Sequence, residues 1–115
     1  MCGIAGFSAS FKQDLLYEMV GTITHRGPDD EGIYLTKGIG LAHRRLSIID
    51  RSPAGHQPMW DVNKRVVIVF NGEIYNYREL RSELTRADFQ FRSDSDTEVL
   101  SNLLNQSLVK PHAVA

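Results

Sequence analysis

A single cysteine, Cys2, is all the sequence holds, so no internal disulfide can form and a reducing, cytoplasmic setting is expected. No apolar stretch approaches the ~20 residues that span a bilayer. Met1 through Lys12 also lacks the positive start and apolar core of a secretory signal. Charge of one sign is missing too: 13 basic side chains stand against 14 acidic ones, a formal net charge of -1. Without a basic run interleaved with aromatics, nucleic acid is not an expected partner, and neither is a membrane.

Metal and cofactor signatures are equally scarce. His25, His43, His56 and His112 never form a close pair, which argues against zinc. Gly38-Ile-Gly40 has His43 where a dinucleotide fingerprint needs its third glycine, and no Gly-x-x-x-x-Gly-Lys phosphate loop occurs. No metal and no cofactor is therefore expected within these residues. Asn105-Gln-Ser107 matches a glycosylation sequon, which carries no meaning in a cytosolic chain.

What remains is an ordinary soluble composition, 42% hydrophobic and 23% charged, over 115 residues. That length allows one domain at most, and one small enough that losing a strand is serious. The apolar run Cys2-Gly-Ile-Ala-Gly-Phe7 reads as a buried strand. Leu15, Leu16, Met19, Val20 and Ile23 share one face of a helix over residues 14–24. Residues 32–36 and 40–49 read as a strand pair joined near Lys37-Gly38. Val66-Val-Ile-Val-Phe70 is the strongest strand signal, ending at the turn dipeptide Asn71-Gly72. Two helices follow. Tyr77, Leu80 and Leu84 share a face of the first, with Asn76 and Glu79 placed as a capping box. Ser95-Asp-Thr-Glu98 opens the second, which runs through Val99, Leu100, Leu103 and Leu104. This order fits an α+β domain rather than alternating βαβ units.

Cys2 is the sharpest chemical feature. Aminopeptidases remove Met ahead of small residues, which would leave cysteine as the first residue, with a thiol and an α-amine on neighbouring atoms. An α-amine ionises close to neutral pH and can serve as general base to its own side chain. By position alone, a small buried hydrophobe is the commoner fate of a free cysteine. Asn71-Gly72 likewise reads by itself as a hairpin turn before anything catalytic.

Five blocks taken together change that weighting. Met1-Cys-Gly-Ile-Ala-Gly-Phe7, His25-Arg-Gly-Pro-Asp-Asp-Glu-Gly32, Leu41-Ala-His-Arg-Arg-Leu-Ser-Ile-Ile-Asp50, Asn71-Gly-Glu-Ile-Tyr-Asn76 and Ser95-Asp-Thr-Glu98 follow one another in this order. In that order and spacing the chain resembles the class II glutamine amidotransferase (glutaminase) domain of glutamine-hydrolysing asparagine synthetases, from Met1 to about Leu100. The resemblance implies an N-terminal-nucleophile hydrolase fold, a four-layer sandwich of antiparallel sheets between helices, incomplete at its C-terminus. It further implies that Cys2 attacks the carboxamide of L-glutamine to form a thioester and release ammonia. Asn71, through its amide, and Gly72, through its backbone N–H, would form the oxyanion hole. Arg45 would clamp the α-carboxylate, and Asp96 would receive the α-ammonium with Glu73 assisting. Leu46, Ser47, Ile48 and Ile49 would line the pocket, mostly by backbone and shape. Strand alternation puts Arg44 and Arg45 on opposite faces, and the family pattern alone selects Arg45. The acidic run Asp29-Asp-Glu31 reads as a solvated loop beside the site.

Beyond about residue 100 the resemblance stops, and residues 101–115 read as an unassigned tail. The family's later strands are not found, and neither is its synthetase domain, to which ATP and Mg2+ would belong. A truncated gene product is the expectation. Its partner would be the missing synthetase domain or a related subunit, and the alternative is a catalytically silent remnant that only binds glutamine or such a subunit. An incomplete sandwich would also leave sheet edges open to aggregation.

Overall fold

The computed structural model describes residues 2–47 and 52–109. Three antiparallel strands form the first sheet: β1 (Gly3–Phe7), β2 (Asp30–Thr36) and β3 (Ile39–Arg45), in the order β1-β3-β2. β2 and β3 are a hairpin. Its turn at Lys37-Gly38 puts Gly38 at φ 90°, a left-handed geometry that glycine adopts without a Cβ clash. Pairing Ala42 with both Ala5 and Ile33 sets the register, so these three side chains share one face. Against that face lies α1 (Gln13–Gly21), whose Leu16 and Val20 are fully buried with Ala42 among Ala5, Phe7, Ile23, Ile33 and Leu35. The helix stops at Gly21, short of residue 24; Thr24–Arg26 tighten into a 3-10 turn instead.

The opposite face of this sheet carries Ile4, Tyr34, Leu41, His43 and Arg45, again by register. Over it lies a second, two-stranded sheet of β4 (Met59–Trp60) and β5 (Val67–Ile68). Tyr34 and Trp60 meet edge to face, with ring centroids 5.4 Å apart. The strand expected over residues 66–70 is thus paired only at Val67 and Ile68. Its propensity is real, but β4 is two residues long and offers no further ladder.

α2 (Tyr77–Arg86) packs on α3 (Asp96–Val109), and α3 in turn packs on β4. α2 starts without the expected box: Asn76 makes no side-chain cap, its backbone already near the helical region at φ -98°, ψ 26°. The helix closes through Asp88 at φ 68°, with Phe89 N–H on the Leu84 carbonyl. The α3 cap is half formed. Ser95 Oγ accepts the Thr97 N–H at 3.0 Å, but Glu98 turns away from Ser95. Its carboxylate accepts from Arg92 N–H, Ser93 N–H and the Ser93 hydroxyl, organising the preceding loop instead.

α3 also hides a different face from the one its leucines indicate. Thr97, Glu98, Ser101, Asn102 and Asn105 are buried, whereas Leu104 and Leu108 are exposed. Partners explain most of this. Asn105 Nδ2 donates to Asp61 and Asn63, Val62 N–H donates to Asn102, and the Ser101 hydroxyl donates to the Glu98 carbonyl. The buried Asp61 carboxylate itself accepts the N–H groups of Asn63, Arg65 and Val66, shaping the β4–β5 connection. The stretch from residue 101 continues α3 unbroken to Val109.

Candidate active site

Cys2 immediately precedes β1. Because Gly3 pairs with Arg44, Cys2 lies beside Arg45 at the end of the ladder, on the sheet face opposite α1. Its thiol is half-buried against Leu46: the Leu46 N–H donates to Sγ at 3.2 Å, and Sγ reaches the Leu46 carbonyl at 3.6 Å. The Cys2 carbonyl accepts from Arg26 Nε at 3.2 Å. The sulfur therefore has a fixed position with a donor against it.

The two adjacent arginines separate as alternation requires. Arg44 Nε donates to the Gly27 carbonyl at 2.9 Å and its Nη1 pairs with Glu31 at 3.0 Å, tying strand to loop. Arg45 is buried on the other face, where Nη1 donates to the Ser52 carbonyl at 2.6 Å. Room for the guanidinium comes from Gly55, since a Cβ there would stand 2.1 Å from Nη2. Leu46 and Ser47 follow the end of β3, and Ser47 N–H donates to Asp29 at 2.8 Å. Ile48 and Ile49 lie outside the described residues.

Arg45, Leu46 and Ser47 share an open cleft of about 860 Å³ with Asp29, Asp30, Pro53 and His56. The acidic run is not simply solvated. Asp29 holds Ser47, Asp30 pairs with His56 Nδ1, and Glu31 pairs with Arg44. The run lies at the cleft, but these contacts link residues distant in sequence, so no local pattern announces them or marks His56 as a cleft residue. Among the described residues, no group of His, Cys, Asp and Glu side chains is arranged to hold a metal ion.

Asn71, Gly72 and Glu73 form a second cluster, in the turn that follows β5. Asn71 is half-buried, and Gly72 and Glu73 are exposed. Asp96 is buried at the start of α3 and accepts the Ile74 N–H at 3.0 Å, so it anchors the far side of this turn. The near side is anchored by His43 of β3, whose Nε2 stands 3.3 Å from the Phe70 carbonyl. His43 shares a face with Arg45 two residues along the strand and sits opposite Ile4. The Asn71-Gly72 turn is thus tethered over the same sheet face that carries Cys2 and Arg45. Among the described residues, the link from this segment to the strand beside the thiol runs through Phe70 and His43 of β3.

Burial lowers the His43 pKa to about 4, with the hydrogen bond to Phe70 opposing the shift and His56 and Arg45 adding to it. The ring is neutral at pH 7. Since its Nε2 faces a carbonyl, that nitrogen carries the proton and donates. The buried Nδ1 has no partner among the described residues. A pH dependence follows. An unfolded histidine protonates near pH 6.5, whereas the folded one resists protonation until about pH 4. The unfolded state therefore takes up the extra proton in that window, and stability is lost as pH falls through it. Urea midpoints at pH 7 and pH 4.5 should differ less for His43→Gln than for the parent chain. An identical pH dependence in both would show that His43 is not the titrating group.

Cys2 thus lies beside the buried Arg45, with the Asn71-Gly72 segment tethered over the same sheet face. A family model described as a glutamine amidotransferase domain matches residues 1–109, and the chain belongs to that family. Among its relatives is asparagine synthetase [glutamine-hydrolyzing] 1 of Bacillus subtilis, 43% identical over 107 residues, or 87% of this chain and 17% of that protein. A putative asparagine synthetase [glutamine-hydrolyzing] 2 of Methanocaldococcus jannaschii is 39% identical, covering 92% of this chain and 24% of the relative. Asparagine synthetase [glutamine-hydrolyzing] 2 of Arabidopsis thaliana is 38% identical over 92% of this chain and 19% of its own length. The chain thus spans 17–24% of the length of these curated relatives. No described helix is long and apolar enough to cross a membrane.

Proposed function

We propose that the chain hydrolyses L-glutamine to glutamate and ammonia with Cys2 as nucleophile. The observation that carries this reading is the place of Sγ, held at the head of the sheet by Leu46 and next to the buried Arg45. Once Met1 is removed, the α-amine takes the thiol proton and Sγ attacks the carboxamide carbon. The oxyanion is received by the Asn71 amide and the Gly72 N–H. The amine returns its proton to the departing nitrogen, ammonia leaves, and a glutamyl thioester remains. Water, deprotonated by the same amine, then releases glutamate and restores the thiol.

Arg45 takes the α-carboxylate; its hold on Ser52 orients the guanidinium for that task. Asp96 takes the α-ammonium with Glu73 beside it. One Asp96 oxygen is engaged by Ile74, and a carboxylate accepts more than one such bond. Leu46 and Ser47 shape the wall. The order α1, first sheet, second sheet, α3 supports a four-layer N-terminal-nucleophile arrangement, through the Tyr34–Trp60 and α3–β4 contacts. In this reading the ammonia serves ATP-dependent asparagine synthesis in a cytoplasmic setting. The synthetase part, with its ATP and Mg2+, lies outside these 115 residues.

Intact-mass analysis of the protein from its own host should show Met1 absent. A glutamine-mimicking electrophile should then add once, at Cys2, and ammonia should be released from glutamine. Retained Met1, or an adduct elsewhere, rules out the terminal nucleophile. Glutamine binding with no ammonia release would favour a silent, glutamine-binding domain.

A further inference from the structure

Phe70 leads directly into Asn71-Gly72, and side chains rather than a strand hold both of its backbone polar groups. The β4–β5 ladder ends at Ile68. Two residues later, the Phe70 N–H donates to Gln57 Oε1 at 2.7 Å, and its carbonyl accepts from His43 Nε2 at 3.3 Å. Gln57 is buried and held in turn, its Nε2 donating to Thr97 Oγ1 at 3.0 Å. Thr97 is the neighbour of Asp96, which grips Ile74. Side chains from β3, from the segment before β4 and from the first turn of α3 therefore pin both flanks of a three-residue turn.

The Phe70 carbonyl and the Asn71 N–H belong to one planar peptide unit, so fixing the oxygen fixes the plane from which Asn71 departs. A full strand partner would hold this backbone just as firmly, but it would cover the turn. Side-chain clamps hold Phe70 and leave Gly72 exposed. We propose that His43 and Gln57 are positioning residues, which aim the Asn71 amide and the Gly72 N–H at the oxyanion without touching substrate. This rests on the glutaminase reading above, although the clamp itself does not. A neutral His43 suits the role, because only the nitrogen facing Phe70 needs a proton, and its lowered pKa keeps the ring in that form.

The full chain carrying His43→Leu, His43→Gln and, separately, Gln57→Leu tests the idea by amide hydrogen exchange and by glutaminase kinetics. Exchange at Phe70 and Ile74, whose N–H groups are bonded to Gln57 and Asp96 on the two flanks, should quicken by about tenfold in His43→Leu, while the β1 and β3 amides keep their protection. His43→Gln, which places an amide N–H near the same carbonyl, should recover most of it. For glutamine hydrolysis, kcat should fall by about tenfold with KM little changed, because a misaimed oxyanion hole harms the transition state more than binding. Unchanged exchange at Phe70 and Ile74 overturns the clamp, whatever the activity. Faster exchange with unaltered kcat overturns its catalytic purpose. A parent chain that releases no ammonia fails the functional reading, and exchange still decides the clamp. Should His43→Leu not fold, Gln57→Leu decides alone: normal exchange at Phe70, or an unaltered kcat, there refutes the proposal.

Discussion

Cys2→Ala is expected to lower ammonia release from glutamine by ~10⁴-fold or more, because the proposed thioester needs a thiol and Cys2 is the sole cysteine of the sequence. What would survive is binding plus the oxyanion donors, a small remnant of the rate. The substitution is structurally mild. Cys2 is half-buried, and among the described residues its thiol hydrogen-bonds with the Leu46 backbone. A matching circular-dichroism spectrum and urea midpoint would confirm that the fold is intact. A second variant separates the thiol from the amine: one residue inserted ahead of Cys2, of a kind that blocks removal of Met1. There the thiol remains available to a simple alkylating agent, yet hydrolysis should fall about as far, since the base has moved off the nucleophile. Continuous glutamate detection reads both. Activity in Cys2→Ala above roughly a hundredth of the parent rate would remove Cys2 from the mechanism.

Local signals carried much of the frame. Glycine at the β2–β3 turn and the helical spacing of Leu16 and Val20 are short-range features. Each appears where short-range chemistry puts it. The misses share a physical cause. The propensity of residues 66–70 says nothing about the length of the partner strand, so a five-residue run yields two paired residues. A leucine pattern says nothing about what faces a helix. α3 turns its asparagines towards Asp61, Val62 and Asn63, contacts more than 35 positions away in the chain, and leaves Leu104 and Leu108 outside. Glu98 matches a capping box in spacing, but two backbone N–H groups and a hydroxyl in the loop before α3 compete for its carboxylate and win.

The candidate site divides in the same way. Cys2 and the Asn71-Gly72 dipeptide could be singled out as residue types, one for its position and one for its turn chemistry. Arg45 could be told from Arg44 only by resemblance, since alternation says they diverge without saying which faces the cleft. His43 looked like one more isolated histidine. Its meaning lies in a hydrogen bond to a residue 27 positions further on, which only the packing of the two sheets creates. The acidic run is legible beside the site, but the ties of Asp29 to Ser47 and of Asp30 to His56 are not, because the hairpin and the segment that crosses it bring those partners near.

The adjacent arginines supply the last expected result: Arg45→Ala and Asp96→Ala each weaken glutamine binding roughly 10- to 100-fold, while Arg44→Ala changes it by about twofold at most. In the proposed binding mode, each of the first two would leave one charged end of glutamine without its partner, a loss of ~1.5–3 kcal/mol per charged hydrogen bond. Arg44 instead spends its guanidinium on Gly27 and Glu31, so its loss should show in stability, modestly for a largely screened pair. Asp96 has a second duty through the Ile74 N–H, and Asp96→Ala should therefore lower kcat as well. Asp96→Asn separates the two duties. It keeps an oxygen for Ile74 but loses the charge for the ammonium, so KM should rise while kcat holds nearer the parent value. Isothermal titration of glutamine into the Cys2→Ala protein isolates binding from turnover, and steady-state kinetics supplies the rest. Equal weakening by Arg44→Ala and Arg45→Ala would mean that the buried arginine is a structural post, with the carboxylate held elsewhere.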